Sequence, residues 1–255
     1  TRRSSDLIVF DISLVILNKL LYSILSVGQG EKNIHTKIKN LDKIIILTCN
    51  TKFYMKGTGA ILQAYEKLRQ KYDNLELWVV SNTPVEYIAK YKEFPDIKFF
   101  EARYSKAELY QHFYSQCDIF VQASLQDSFG LVYLELLASG KPIVSTDLYA
   151  IPEIVKSGYN GLLIKAPLYM YNPDYTFKPE YFPIPVADTE EDFYKKVADS
   201  DMATDVYGAL DQFVADKNLR EQMGRNALSL LEAGFLERKR HQSLLEAYCL
   251  KEIIS

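Results

Sequence analysis

A chain of 255 residues, 48% hydrophobic and 25% charged, has the makings of one large globular domain, or of one domain with an appendage. Its net charge of -3 speaks against a binder of duplex nucleic acid, while leaving room for a local basic site that takes a phosphorylated small molecule. Three cysteines (Cys49, Cys117, Cys249) and three histidines (His35, His112, His241) are too few and too scattered for a disulfide framework or a metal centre, so reduced structural thiols and no metal are expected.

Leu7 to Val27 is apolar and long enough to span a bilayer, but Asp11, Asn18 and Lys19 interrupt it, and ionisable groups are costly in lipid. A short strand at Leu7 to Phe10 followed by an amphipathic helix on a sheet fits better. No small-residue cleavage site marks a signal peptide. A cytoplasmic location is expected, with a peripheral position on a membrane left open. The chain starts at Thr1 without an initiator methionine, as a processed or truncated piece would.

From Lys43 a regular rhythm sets in. The apolar run KIIILTC predicts a buried strand, and GTGAILQAYEKLRQKY follows with Ile61, Ala64, Tyr65 and Leu68 at helical spacing. Next come LELWVVSN, a helix opened by Pro84, IKFFEA, a helix containing KAELYQHFYSQ, DIFVQAS, an apolar helix, and KPIVST, with Gly140 at a helix C-terminus. Short apolar strands alternating with helices predict an α/β fold, a Rossmann-like parallel sheet with helices on both faces. Ligands in such sheets gather at the carboxyl ends of the strands, near the switch in strand order. The strand order itself does not follow from the pattern.

Residues 165–189, rich in Pro and Tyr, break the rhythm and read either as an irregular excursion fixed by aromatic packing or as a lid. Three C-terminal helices follow, in DVYGALDQFVAD, KNLREQMGRNALSLLEAG and FLERKRHQSLLEAYCLKEI, with Gly224 and Gly234 blurring their ends. The expected division is an N-terminal or interdomain segment at 1–40, a ligand-binding domain at 41–235, and a C-terminal helix at 236–255.

The stretch QDSFGLVYLELLASGKP, Gln126 to Pro142, carries the sharpest question. Ser128 or Asp127 can cap the helix, and Gly130 leaves its first turn bare, so backbone N–H groups there suit a phosphate or diphosphate. Glu135 lies two turns into an apolar helix, roughly 12 Å along it from Asp127. A carboxylate accepts hydrogen bonds from vicinal hydroxyls and repels phosphate, which suits Glu135 to a ribose. An exposed helical Glu and a plain N-cap Asp satisfy the same spacing. Lys56, with Gly57 and Gly59 after it, stands just before a helix, where a cation opposes the helix field unless an anion sits beside it. A solvated loop lysine is the alternative. Neither GxGxxG nor GxxxxGK[ST] is present.

Taken together, Ser124, Asp127, Glu135, Ser139-Gly140-Lys141-Pro142, Pro152-Glu153, Gly158 and Gly161 resemble the C-terminal donor-binding domain of retaining GT-B glycosyltransferases of the glycogen-synthase-like and mannosyltransferase-like group. The likeness extends from Ile44 to the NLREQMGRNA and EAGF segments. It implies transfer of a sugar from a nucleotide diphosphate sugar to a hydroxyl of a glycan or small molecule, with retained configuration and no cofactor. Asp127 and Lys56 would be the residues of the catalytic centre: Lys56 on the diphosphate, Asp127 on the donor sugar or its phosphate. Glu135 would hold the ribose, the amides near Phe129, Gly130 and Leu131 would assist the phosphates, Gly57 would sit beside Lys56, and Arg103 would lie near the base.

Two departures stand out: Asp127 replaces the usual Glu, and Thr51 stands where the group has an Arg, leaving Lys52 as a point-charge substitute for a planar fork. About forty residues precede the first donor-domain strand, too few for the second GT-B domain, so the resemblance implies a missing N-terminal half or a complementary subunit. A nucleotide-sugar epimerase, a phosphorylase-like GT-B enzyme and a non-catalytic nucleotide-sugar-binding module are the alternatives.

Overall fold

Six apolar runs become the strands of one sheet: β1 (Ile44–Cys49), β2 (Leu75–Val80), β3 (Ile97–Phe100), β4 (Ile119–Gln122), β5 (Ile143–Thr146) and β6 (Gly161–Ile164). The computed structural model describes residues 43–127, 130–169, 171–172, 176, 178, 193–194, 201–231 and 233. The apolar segment at 7–27, the last helix and nearly all of the Pro- and Tyr-rich stretch lie outside them.

Every pairing is parallel, in the order β3-β2-β1-β4-β5-β6. Such a sheet is covered on both faces, which is why the strand sequences read as unbroken apolar runs. Alternation still decides which core each side chain enters. Ile46, Val79, Val121 and Val144 face one helical layer, while Leu47, Val80, Phe120 and Ile143 face the other.

The first layer holds α1 (Thr58–Leu68), α2 (Val85–Tyr91) and α6 (Met202–Ala215). Helix α1 buries Ile61, Ala64, Tyr65 and Leu68 as its spacing predicts, with Leu62 beside them, and Val206, Leu210 and Phe213 of α6 complete that core. The second layer holds α3 (Lys106–Leu109), which continues as a π-helical turn at Tyr110–Tyr114, together with α4 (Leu131–Ala138) and α5 (Ile151–Ile154). Pro84 sits at the N-cap of α2.

Helix α7 (Lys217–Leu230) packs on α4 where two glycines meet. A Cβ on Gly224 would come within 2.4 Å of the Gly140 carbonyl oxygen, and Gly140 has φ 64°. Gly140 ends α4 as its sequence predicts, whereas Gly224 lies inside a helix and serves close approach. Strand β6 and helix α5, four residues each, are elements that the sequence pattern does not predict.

Candidate functional site

The strand order reverses between β1 and β4, so the loops leaving these two neighbours flank the crevice where such sheets take ligands. The loops are joined directly. Leu125 N–H donates to the Met55 carbonyl at 2.9 Å, and Gly57, at φ 61°, lies so close to Ala123 that a Cβ would stand 2.1 Å from its carbonyl oxygen. Gly57 is thus required by the contact between loops, and Gly59 faces the Tyr87 ring. Asn50 ties in the next loop: its amide donates to Thr58 Oγ1 at 3.1 Å and its Oδ1 accepts from Ser81 Oγ at 2.8 Å.

Lys56 projects across the junction. Its Nζ donates to Asp127 Oδ2 and to the Gln126 carbonyl, both at 2.8 Å, and the two charged side chains are 16% and 10% exposed. The two residues expected to lie at the catalytic centre, seventy-one positions apart in sequence, are one ion pair here. Gln126 Oε1 in turn accepts from the Tyr194 hydroxyl.

The expected cap of α4 does not form. Gly130, and not Asp127, occupies the N-cap position, in the left-handed region at φ 73°, with no side-chain cap, and Ser128 lies outside the described residues. A Cβ on Gly130 would strike the Tyr133 ring at 2.3 Å, so the glycine serves both backbone conformation and packing. Asp127, relieved of capping, faces Lys56 and accepts from Ser124 Oγ at 3.4 Å. Ser124 also shares a hydrogen bond with the buried Tyr133 hydroxyl, which reaches Ser145 on β5 at 2.7 Å. The first helical residue is Leu131, half-buried, while Phe129 lies outside the described residues.

Glu135 is neither exposed nor idle. Only 8% of the residue is accessible, and both carboxylate oxygens are engaged: Oε2 accepts from Tyr114 Oη at 2.9 Å, and Oε1 pairs with Lys106 Nζ at 3.0 Å. Burial among apolar neighbours is therefore offset by one neutral and one charged donor. The Tyr114 hydroxyl also approaches Cys49 Sγ at 3.8 Å, at the end of β1. Burial pushes the Cys49 thiol up to about 12 and drives the Tyr114 phenol far above its ordinary range, with the Glu135 charge adding to the latter. Cys49 accordingly stays a neutral thiol, in keeping with a structural role. Lys106 and Tyr114 escaped sequence reasoning, because nothing in KAELYQHFYSQ distinguishes them from solvent-facing and core positions.

Arg103, expected near a base, stands in the loop after β3, three-quarters exposed and paired with Glu101 at 3.2 Å. Lys52 is exposed and, with Thr51, borders a cleft of about 310 Å³ shared with Phe53, Tyr54, Asn82, Pro84 and Tyr194. Among the described residues, no three His, Cys, Asp or Glu side chains are arranged to hold a metal ion, and no helix is long and apolar enough to cross a membrane.

The sequence and the fold have known relatives. Residues 30–170 match the family described as glycosyl transferases group 1. The chain belongs to that family. An uncharacterized glycosyltransferase of Methanocaldococcus jannaschii is 25% identical over 135 residues, 52% of this chain and 34% of that protein. The C-terminal domain of a group 1 glycosyl transferase from Francisella tularensis superposes with a TM-score of 0.56 at 20% identity, over 76% of this chain and 87% of that domain. The pneumococcal O-GlcNAc transferase, solved with UDP and GlcNAc, gives a TM-score of 0.56 at 18% identity, over 84% of this chain and 36% of that one. The parallel Rossmann-like sheet is the one typical of a GT-B C-terminal, donor-binding domain. The chain spans about a third of the length of the archaeal relative.

Proposed function

We propose that this chain is the donor-binding half of a retaining glycosyltransferase, moving a sugar from a nucleotide diphosphate sugar to an acceptor hydroxyl. One observation carries the reading: Lys56 stands at the switch in strand order, bridging the loops after β1 and β4, with an acidic side chain and a carbonyl as its partners. A diphosphate entering that crevice would replace those acceptors with stronger ones. As the bond from the sugar to the diphosphate breaks, negative charge grows on the leaving group. A fixed ammonium, together with amides at the start of α4, stabilises that charge where it develops.

Asp127, released from Lys56 by the incoming diphosphate, would turn to the donor sugar or its phosphate, and Glu135 would accept from the ribose hydroxyls. Arg103 lies on the loop that would border the base. UDP, seen with the pneumococcal relative, is the first nucleotide to test. The acceptor and the complementary domain would come from outside the donor domain at 41–235, flanked by the segments at 1–40 and 236–255.

The test is calorimetric binding of UDP, GDP and ADP to the 255-residue chain, with Lys56→Ala and Glu135→Ala in parallel. Loss of a charge-assisted contact is expected to weaken the preferred nucleotide by about tenfold to a hundredfold in each variant. Folded variants with unchanged affinity would overturn the assignment. Retention is checked separately, by the anomeric configuration of the product formed once a complementary domain is supplied.

A further inference from the structure

Glu135 is a buried acid on the helix that follows β4, and each of its carboxylate oxygens has a partner. The two oxygens are held by different groups, Tyr114 Oη at 2.9 Å and Lys106 Nζ at 3.0 Å, both carried by the segment between β3 and β4. That segment is itself locally fixed. Ser105 caps α3 in a reciprocal box, accepting from the Glu108 amide while its own N–H donates to Glu108 Oε2 at 2.8 Å. The helix then widens into a π-helical turn, with Ser115 N–H reaching back five residues to the Tyr110 carbonyl at 3.0 Å.

A π-turn inserts one residue into the helical register and rotates the residues beyond it, a cost usually kept where it re-aims a side chain. Here the turn ends on Tyr114, whose ring is buried in the second core and whose hydroxyl meets Glu135. Cys49 Sγ, at 3.8 Å from the same hydroxyl, offers only a weak acceptor. The tyrosine proton is therefore directed to the carboxylate. Lys106 supplies the matching charge and keeps 41% of its side chain exposed, so it can shift without unpacking the core.

We propose that Tyr114 and Lys106 are positioning residues that hold the Glu135 carboxylate in one orientation for a ribose diol, a claim that rests on the reading of Glu135 as the ribose acceptor. Each carboxylate oxygen has lone pairs for more than one donor. With Tyr114 and Lys106 each using one direction, the remaining directions face a diol without the carboxylate having to reorient. Removing either partner frees the side chain to rotate, and the loss falls on the ribose hydroxyls alone.

The experiment compares UDP with 2′,3′-dideoxy-UDP, by calorimetry, on the 255-residue chain and on Tyr114→Phe, Lys106→Met, Lys106→Arg and Glu135→Ala, with thermal unfolding confirming the folded state. In the unaltered chain UDP should bind about tenfold or more tighter than the dideoxy nucleotide. Glu135→Ala should erase that ratio. Tyr114→Phe and Lys106→Met should each reduce it to about threefold while leaving dideoxy-UDP affinity unchanged, and Lys106→Arg should restore most of it. A structural role would lower both affinities together. If Glu135→Ala erases the ratio but Tyr114→Phe and Lys106→Met keep it, the positioning roles are wrong and the ribose reading stands. If Glu135→Ala keeps the ratio, the ribose reading fails and takes the positioning roles with it. Should Tyr114→Phe not fold, Lys106→Met, altered at a partly exposed side chain, decides the matter by the same ratio.

Discussion

Replacing Asp127 with Asn should make the chain bind UDP more tightly. Lys56 is shared between Asp127 Oδ2 and the Gln126 carbonyl at 2.8 Å each, so a diphosphate oxygen that displaces the carboxylate from the same ammonium approaches to roughly 4 to 5 Å from it as the partners exchange. At an effective dielectric of about 20, two unit charges at that separation repel by about 3 to 4 kcal/mol. Counterions and the retained Asn dipole absorb part of this, leaving about 1.4 kcal/mol, or roughly tenfold in affinity. The pair is largely shielded, at 16% and 10% exposure, so its removal should lower stability by about 1 kcal/mol, with the Asn oxygen still accepting from Lys56. UDP-glucose should gain less than UDP, since a carboxylate facing its hydroxyls is lost. The assay is calorimetric titration of both ligands at fixed salt, beside urea unfolding. Unchanged or weaker UDP binding in a folded variant would show that the carboxylate does not compete for Lys56, and the exchange of partners at that lysine would be wrong.

Gly57→Ala forces a Cβ to 2.1 Å from the Ala123 carbonyl oxygen at a φ of 61°. The two loops should part, with a loss of about 2 to 4 kcal/mol in urea unfolding and of nucleotide affinity by calorimetry, whereas an equivalent change at Gly208, where a Cβ meets nothing, should be neutral or mildly stabilising. Glu76 on β2 offers a test by pH. Burial alone would raise its carboxyl, but hydrogen bonds from Lys43, Lys98 and Trp78 win and hold it at about 2. A depressed folded value stabilises above the unfolded carboxylate range and is lost as pH falls from about 4.5 toward 2. Because the two lysines are 42% and 44% exposed, about 2 kcal/mol is expected. The stability gap between the unaltered chain and Glu76→Gln should therefore shrink over that window in urea unfolding, and a constant gap would contradict it.

The layers of this fold are legible because a doubly covered parallel sheet makes each strand a continuous apolar run, as in IIILTC and IFVQ, set between the two helical layers. Order and site detail were less accessible for one physical reason: both depend on contacts between residues far apart in sequence. Lys56 meets Asp127 across seventy-one positions, and Glu135 meets Tyr114 across twenty-one. Pairing strand β1 with β4 is likewise a long-range choice that no local pattern encodes. The cap of α4 misled for another reason. Asp127 and Ser128 have the chemistry of an N-cap, but the left-handed turn at Gly130 starts the helix later and leaves Asp127 to the lysine. Gly224, which in the sequence only blurs the ends of a predicted helix, is the point at which α7 comes near enough to touch Gly140.

The bond from Leu125 to Met55 and the contact of Gly57 with Ala123 fasten the loops after β1 and β4 together before any ligand arrives. An anion that enters between them has little backbone left to organise. Its task is to exchange one negative partner of Lys56 for another. Association with this crevice should therefore answer strongly to ionic strength. The folding of the strand junction, and not the approach of the ligand, is the step that orders the lysine.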